Sequence, residues 1–372
     1  MKKFTGAGIA LLLGTTAAYA GGMDRSGQSI TALFEEGTYA EISFGSVSPD
    51  VSGTFTHPVN GPFNSGSMAP NYSMFGLAFK TDLNDSVSLA FIMDQPFGAN
   101  ADYSNTDVGY PTAGTSADVK SSEITVLAQY KIDENYSVYA GPRLISAEGT
   151  YRRVLGGTPI YASDYASDSD IGFVIGAAYE IPEIALRASL TYSSETELFL
   201  EGSAVSGFGA SGGDLTALLP KSVNLDFQTG IAENTLAFAG VRWVNWSEAE
   251  LRDSNPASNA PTTTDGVIAD FENTDTFTYT LGVGRKFSDN FAASFAIGYE
   301  KSQGGDVSNL GPTDGYISYQ VGGAYTFDNG FELSGGVRFV DLGDAQTDIS
   351  GIKTSFTGNS ATAIGLKLAY NY

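Results

Sequence analysis

The feature that most constrains this chain is a two-residue alternation of apolar and small or polar side chains, repeated in segment after segment. At the C-terminal end Ile364, Leu366, Leu368, Tyr370 and Tyr372 fall on one face, and Ala363, Gly365, Lys367, Ala369 and Asn371 on the other. The same period sets Ile317, Tyr319, Val321, Tyr325 and Phe327 against Ser318, Gln320, Gly322, Ala324 and Thr326. It recurs in Phe331, Leu333, Val337 and Phe339, and again in Phe291, Ala293, Phe295, Ile297 and Tyr299. Successive side chains of a strand point to opposite faces, so each segment is a strand with one apolar face.

A soluble β-sandwich alternates in the same way, and turn lengths separate the two architectures. Tight turns fall at Asn84-Asp85-Ser86, Asp133-Glu134-Asn135, Pro182-Glu183, Glu233-Asn234, Ser288-Asp289-Asn290 and Asp328-Asn329-Gly330, with long Gly-, Ser-, Asp- and Asn-rich stretches between them. Short turns on one side and long loops on the other are the rhythm of a transmembrane barrel. Reading outward from the turns gives strands over 37–48, 70–83, 86–96, 121–132, 135–151, 170–181, 184–202, 217–231, 235–251, 274–287, 290–302, 314–327, 330–343 and 359–372. The expected fold is all-β, an antiparallel transmembrane barrel of about fourteen strands over residues 37–372. Aromatic residues near the strand ends, Tyr130, Tyr136, Tyr179, Tyr192, Trp243, Trp246, Phe287, Phe291, Phe327 and Phe331, fit interfacial girdles, although aromatics are also good strand formers.

Residues 1–20 read as an export signal: Lys2 and Lys3, an apolar run from Ala7 to Leu13, then Ala18-Tyr19-Ala20 as a cleavage site. The run is far shorter than the roughly 20 residues of a spanning helix. The chain has no Cys and a net charge of −23, which argues against a disulfide scaffold and against nucleic acid as a partner. One histidine, His57, and no Gly-x-Ser-x-Gly or phosphate-loop run argue against an enzyme. No cofactor is expected. The stretch Ser163-Asp164-Tyr165-Ala166-Ser167-Asp168-Ser169-Asp170 offers oxygen ligands but lacks EF-hand spacing, so it reads as a solvated acidic loop and no metal is expected.

With the strands in place, the chain resembles the FadL-type outer-membrane transporters of long-chain fatty acids and aromatic hydrocarbons. The likeness runs through Leu190-Thr191-Tyr192-Ser193 into Phe199-Leu200-Glu201-Gly202, Leu218-Leu219-Pro220, Trp243-Val244-Asn245-Trp246-Ser247 and Gly323-Ala324-Tyr325-Thr326-Phe327. It implies fourteen strands, an N-terminal hatch in the lumen, and passive uptake of hydrophobic molecules into the Gram-negative outer membrane. Fatty acids are then the first expected substrate, and aromatic or alkane hydrocarbons or a general diffusion porin are alternatives. The hatch would be Gly21 to Glu36, shorter than the family's and without its Asn-Pro-Ala element; Ser29 could cap a short helix through Leu33, and a periplasmic tail is the alternative.

The resemblance also implies a sideways exit through the wall. Pro96 and Gly98, around Phe97, interrupt the third strand, because Pro cannot donate a ladder hydrogen bond and Gly weakens pairing; a strand that simply ends there is the other reading. Apolar clusters on two long loops, Val154, Leu155, Ile160 and Tyr161 on one and Phe208, Leu215 and Leu218 on the next, would form the outer docking groove. Arg338 and Lys367, inward by alternation, could meet an acyl carboxylate or pair with Glu332 or Glu300. The expected partners are hydrophobic small molecules and the surrounding lipid and lipopolysaccharide, and the expected state is a monomer.

Overall fold

The structure is a computed structural model that describes residues 23–206, 212–258, 265–270, 275–349 and 351–372. The expected export signal and Phe208 lie outside these residues. Fourteen wall strands run in chain order. They are β1 Tyr39–Asp50, β2 Tyr72–Asn84, β3 Val87–Asp94, β4 Ser116–Lys131, β5 Tyr136–Leu155, β6 Thr158–Ile181 and β7 Leu186–Ser193. The rest are β8 Ser222–Ala232, β9 Thr235–Val244, β10 Thr276–Lys286, β11 Phe291–Glu300, β12 Tyr316–Thr326, β13 Phe331–Leu342 and β14 Ser360–Asn371. Each pairs antiparallel with its sequence neighbour, and β1 closes on β14 from Tyr39↔Asn371 to Asp50↔Ser360. Closure leaves no wall strand with a free edge along its whole length, the condition for a sheet to sit in hydrocarbon.

The alternation sorts faces as the sequence implies. Phe44, Phe79, Phe173, Leu281, Phe295, Val321 and Leu366 are exposed outward, where lipid tails would meet them. Tyr130, Tyr136, Phe287, Phe291, Phe327 and Phe331 are exposed beside the tight turns and form the girdle at that end. Trp246 does not belong to it: the residue is buried on the inside. Leu281 is at the centre of β10. Leu281→Arg is therefore expected to lower barrel stability by about 2–4 kcal/mol, measured by unfolding from lipid vesicles in denaturant.

Several expected strands change length. The expected 184–202 strand stops at Ser193, and 235–251 stops at Val244. Pro220 opens the same break on their neighbour, and the chain beyond it forms a separate sheet of Thr196–Leu200, Leu215–Leu219, Glu250–Asp253 and Val267–Asp270. β6 is longer than expected, beginning at Thr158, so the acidic stretch 163–170 lies on a strand and not in a loop. There Asp170 and Asp168 accept the Glu197 and Phe199 backbone N–H groups at 3.0 and 2.8 Å, standing in for missing ladder bonds between β6 and the separate sheet. A second small sheet joins Gly53–His57, Gly61–Asn64, Ala345–Ile349 and Ile352–Phe356 on the long-loop side.

The interior is layered. Toward the long loops, Met23, Met68, Phe97, Leu198, Trp246 and Leu251 belong to one buried apolar cluster. Toward the tight turns, Ile30, Leu33, Ile92, Leu127 and Tyr139 belong to another. A Cβ at Gly176 would meet the Tyr139 ring at 2.4 Å, so glycine there lets a large ring lie against the wall. Residues 24–28 cross between the two clusters and carry the polar contacts described next.

Candidate functional site

Three features meet in the loop-side half of the barrel: a cavity, the segment that floors it, and an interruption in the wall beside that floor. The cavity measures about 460 Å³. Val154, Leu155, Leu215, Trp246, Leu251 and Leu310 supply its apolar lining. Val154, Leu155 and Leu215 come from the expected docking clusters, but they face this interior space and not the outer surface. Tyr161 is buried beneath it, its hydroxyl donating to Asp253, while Ile160 and Leu218 are half-buried and outside the lining.

Met23 reaches the cavity from below, and from it the chain descends through the lumen. Arg242, inward on β9, donates from Nε to Asp24 Oδ2 at 2.6 Å, from Nη1 to Asn224 Oδ1 at 2.9 Å and to Gly27 O at 3.2 Å, and from Nη2 to Gln28 Oε1 at 3.2 Å. Gln28 donates in turn to Glu123 Oε2 at 3.2 Å, and Glu123 is paired with Arg143 at 2.6 Å. Ser26 donates to Asp94. Arg242, Glu123 and Asp94 of the wall thus grip one five-residue stretch. Below it the chain makes a 3₁₀ turn at Thr31–Phe34; Ile30 is the N-cap residue and no side chain caps the turn, so Ser29 does not play that part. Leu33 and Phe34 border a second cavity, about 790 Å³, whose lining includes Glu35, Lys80, Glu180, Arg187 and Lys367. Met23 touches the upper space, and Thr31 and residues 33–36 the lower.

The wall interruption lies where Pro96, Phe97 and Gly98 stand. β3 leaves the ladder after Asp94. The chain rejoins β4 at Gly98↔Lys120 and follows it to Asp102↔Ser116. Tyr72–Gly76 of β2 have no ladder partner on that side among the described residues. Gln95 Oε1 accepts the Phe75 N–H at 2.9 Å across the interruption. Phe97 turns inward, held by Ser121 Oγ, which accepts its N–H at 3.0 Å and donates to its carbonyl at 2.7 Å. Its ring packs edge-to-face on Trp246, centroids 6.0 Å apart. The 23–25 backbone closes the inner side: Gly98 N–H donates to Met23 O at 2.9 Å, and Arg25 N–H to Pro96 O at 2.7 Å.

Trp246 owes its position to Asp275. The carboxylate accepts from Trp243 Nε1 at 3.1 Å, Asn245 Nδ2 at 2.8 Å and Ser247 Oγ at 2.6 Å, which fixes the turn that carries Trp246. Burial raises the Asp275 pKa, yet these donors outweigh it and hold the carboxyl below its ordinary value.

The two expected lumen cations are not together and not in the upper cavity. Lys367 lies opposite Ser334 toward the tight turns and pairs with Glu41 at 2.8 Å, not with Glu332. Arg338 lies opposite Ala363, donates to Ser318 Oγ at 3.0 Å and stacks over the Tyr316 ring. The residues that sequence reasoning passed over are Arg25, Gln28, Glu123, Arg143 and Arg242. The last three are inward by alternation, so a parity count of charged residues could have found them; Arg25 and Gln28 lie in a segment with no periodic signal.

A family described as outer membrane protein transport protein (OMPP1/FadL/TodX) matches residues 23–372. The structure is similar to that of a Pseudomonas aeruginosa FadL homologue, at 13% identity over 98% of this chain and 99% of that chain, TM-score 0.73. It is similar to the P. putida toluene transporter TodX, at 14% identity over 91% and 90%, TM-score 0.66. It is similar also to the Ralstonia pickettii toluene transporter TbuX, at 11% identity over 92% and 91%, TM-score 0.63. These likenesses concern the fold. No curated protein matches the chain. By its sequence match along almost the whole length and its closed fourteen-stranded wall, the chain belongs to the OMPP1/FadL/TodX family of outer-membrane transporters of hydrophobic compounds.

Proposed function

We propose that this chain takes hydrophobic compounds into the upper cavity and releases them sideways into the outer membrane past Pro96, Phe97 and Gly98, with long-chain fatty acids as the first substrate. One observation carries the reading: Trp246, part of the apolar cavity lining, is in edge contact with Phe97 at the interrupted stretch of wall. An apolar solute leaving there need never cross water, whereas the route straight down meets the buried charges around residues 24–28. Residues 21–36 serve as a short hatch, residues 1–20 as the export signal, and the barrel works as a monomer with lipid and lipopolysaccharide around its girdles. A general diffusion porin needs an open lumen, and Gln28 bridges it from Glu123 on β4 to Arg242 on β9.

The cavity's charges favour a second reading. Its lining includes the carboxylates of Asp265, Glu300, Asp306, Asp314 and Asp348 against the one guanidinium of Arg153 among the described residues. That balance suits an uncharged aromatic or alkane hydrocarbon better than a carboxylate, and two of the similar structures are toluene transporters.

Both readings share the exit, and the chain has no native Cys to interfere with a cross-link. A Phe75→Cys/Gln95→Cys pair, joined by a short reducible thiol cross-linker in cells lacking their own transporter of this kind, is expected to stop uptake of labelled oleate and toluene. Reduction restores it. Uptake that continues undiminished through the cross-linked barrel would overturn the sideways route, and the preferred label separates acid from hydrocarbon.

A further inference from the structure

The break between β2 and the Gly98–Asp102 segment contains a cation. Arg25 is 8% exposed. Its guanidinium lies over the Tyr72 ring, 4.1 Å from the centroid. On its other side a Cβ built on Gly98 would meet Arg25 Cζ at 2.5 Å and Nε at 2.7 Å. Tyr72 and Gly98 are the two edges of the interruption, so the guanidinium is clasped between them, and glycine at position 98 is what leaves it room.

Among the described residues, Arg25 Nε and Nη2 have no hydrogen-bond partner. Neighbouring carboxylates bond elsewhere, Asp24 through Oδ2 to Arg242 and Asp94 to Ser26, and among the described residues Asp24 Oδ1 takes no hydrogen bond from Arg25. Unmatched donors on a buried cation are costly, and native structures rarely keep them without a use. The two atoms share one edge of the planar fork. That edge offers two parallel N–H groups, the surface a carboxylate or phosphate occupies bidentately.

We propose that Arg25 is an oxyanion site set in the wall break, which reads the charged head of an amphiphile as its chain passes between Tyr72 and Gly98. The head is a carboxylate if the amphiphile is the cargo and a phosphate if it is a lipid of the surrounding leaflet. The assignment rests on the sideways route above and deepens it: Arg25 becomes the residue that distinguishes a fatty acid from a hydrocarbon of equal length.

The test uses the purified full barrel in an uncharged detergent, with myristate, myristyl alcohol and myristyl phosphate as probes and tryptophan fluorescence as readout. Wild type is expected to bind at least one of the two anions roughly tenfold more tightly than the alcohol, the weight of one hydrogen-bonded charge. Arg25→Met is expected to bring that preference to within about twofold while leaving alcohol binding in place. Gly98→Ala keeps the charge but displaces the fork and is expected to act in the same direction. Heat-modifiable gel mobility confirms that each variant is folded. A preference for myristate names the cargo as the source of the oxyanion, and a preference for the phosphate alone names a membrane lipid. Equal binding of all three by wild type, or a preference that survives in Arg25→Met, overturns the site and leaves the transport route standing. Failure to bind any of the three overturns the route as well.

Discussion

Wild type is expected to be nearly silent in planar lipid bilayers and Arg242→Ala to show large, steady ion conductance. The guanidinium is the common donor to Asp24, Gly27, Gln28 and Asn224, and it joins the 24–28 stretch to both β8 and β9. Its removal leaves Asp24 as a buried carboxylate without a counter-charge, a change that costs about 3–5 kcal/mol in comparable pairs. The wall does not depend on that contact, since the β8–β9 ladder runs from Ser222↔Val244 to Ala232↔Thr235 through backbone bonds. The cost therefore falls on the segment and not on the barrel, and the segment leaves the lumen. Arg242→Lys restores one charge but cannot reach several acceptors from one planar fork, so intermediate conductance is expected. Arg242→Ala channels as quiet as wild type, in a barrel shown to be folded, would mean that residues 24–28 do not block the lumen.

The wall was legible because membrane geometry leaves few choices. Apolar-out, small-or-polar-in alternation with turns at Asn84-Asp85-Ser86 or Asp328-Asn329-Gly330 places strands whatever the loops do. The strand ends were harder to read. The expected 184–202 and 235–251 strands ran on because Thr196–Leu200 and Glu250–Asp253 are themselves strands; they belong to another sheet, and period alone cannot reveal which sheet a strand joins. Pro96 and Gly98 stand where the chain leaves the ladder after Asp94 and rejoins β4, and both act on the backbone locally. What fills it could not be read, because Arg25 arrives from a segment about seventy residues away whose contacts to the wall are long-range. Val154, Leu155 and Leu215 carried an apolar signal that does not say whether a cavity or solvent lies beyond them.

The second large effect concerns Arg143 and Glu123, which are 0% and 3% exposed and 2.6 Å apart inside the barrel. Arg143 Nη2 also donates to Ser194 O at 2.6 Å, at the point where β7 leaves the wall. Glu123→Leu alone strands a guanidinium with one carbonyl for company, and Arg143→Met alone strands a carboxylate against Gln28; each is expected to destabilise the folded barrel by about 3–5 kcal/mol. The double variant removes both charges from a site that two apolar side chains of similar volume can fill, and is expected to recover most of that loss. Denaturant unfolding from vesicles measures all four proteins, and a double variant as unstable as the sum of the singles would mean that the residues act separately. A further consequence follows from Gln28, which bonds both Glu123 and Arg242. If the two clusters are joined there, Glu123→Leu should also raise conductance, and its cost in unfolding stability should fail to add to that of Arg242→Ala by about 0.5–3 kcal/mol. Simple additivity would place the grip on residues 24–28 in Arg242 alone and make the Arg143–Glu123 pair a fastener of the wall only.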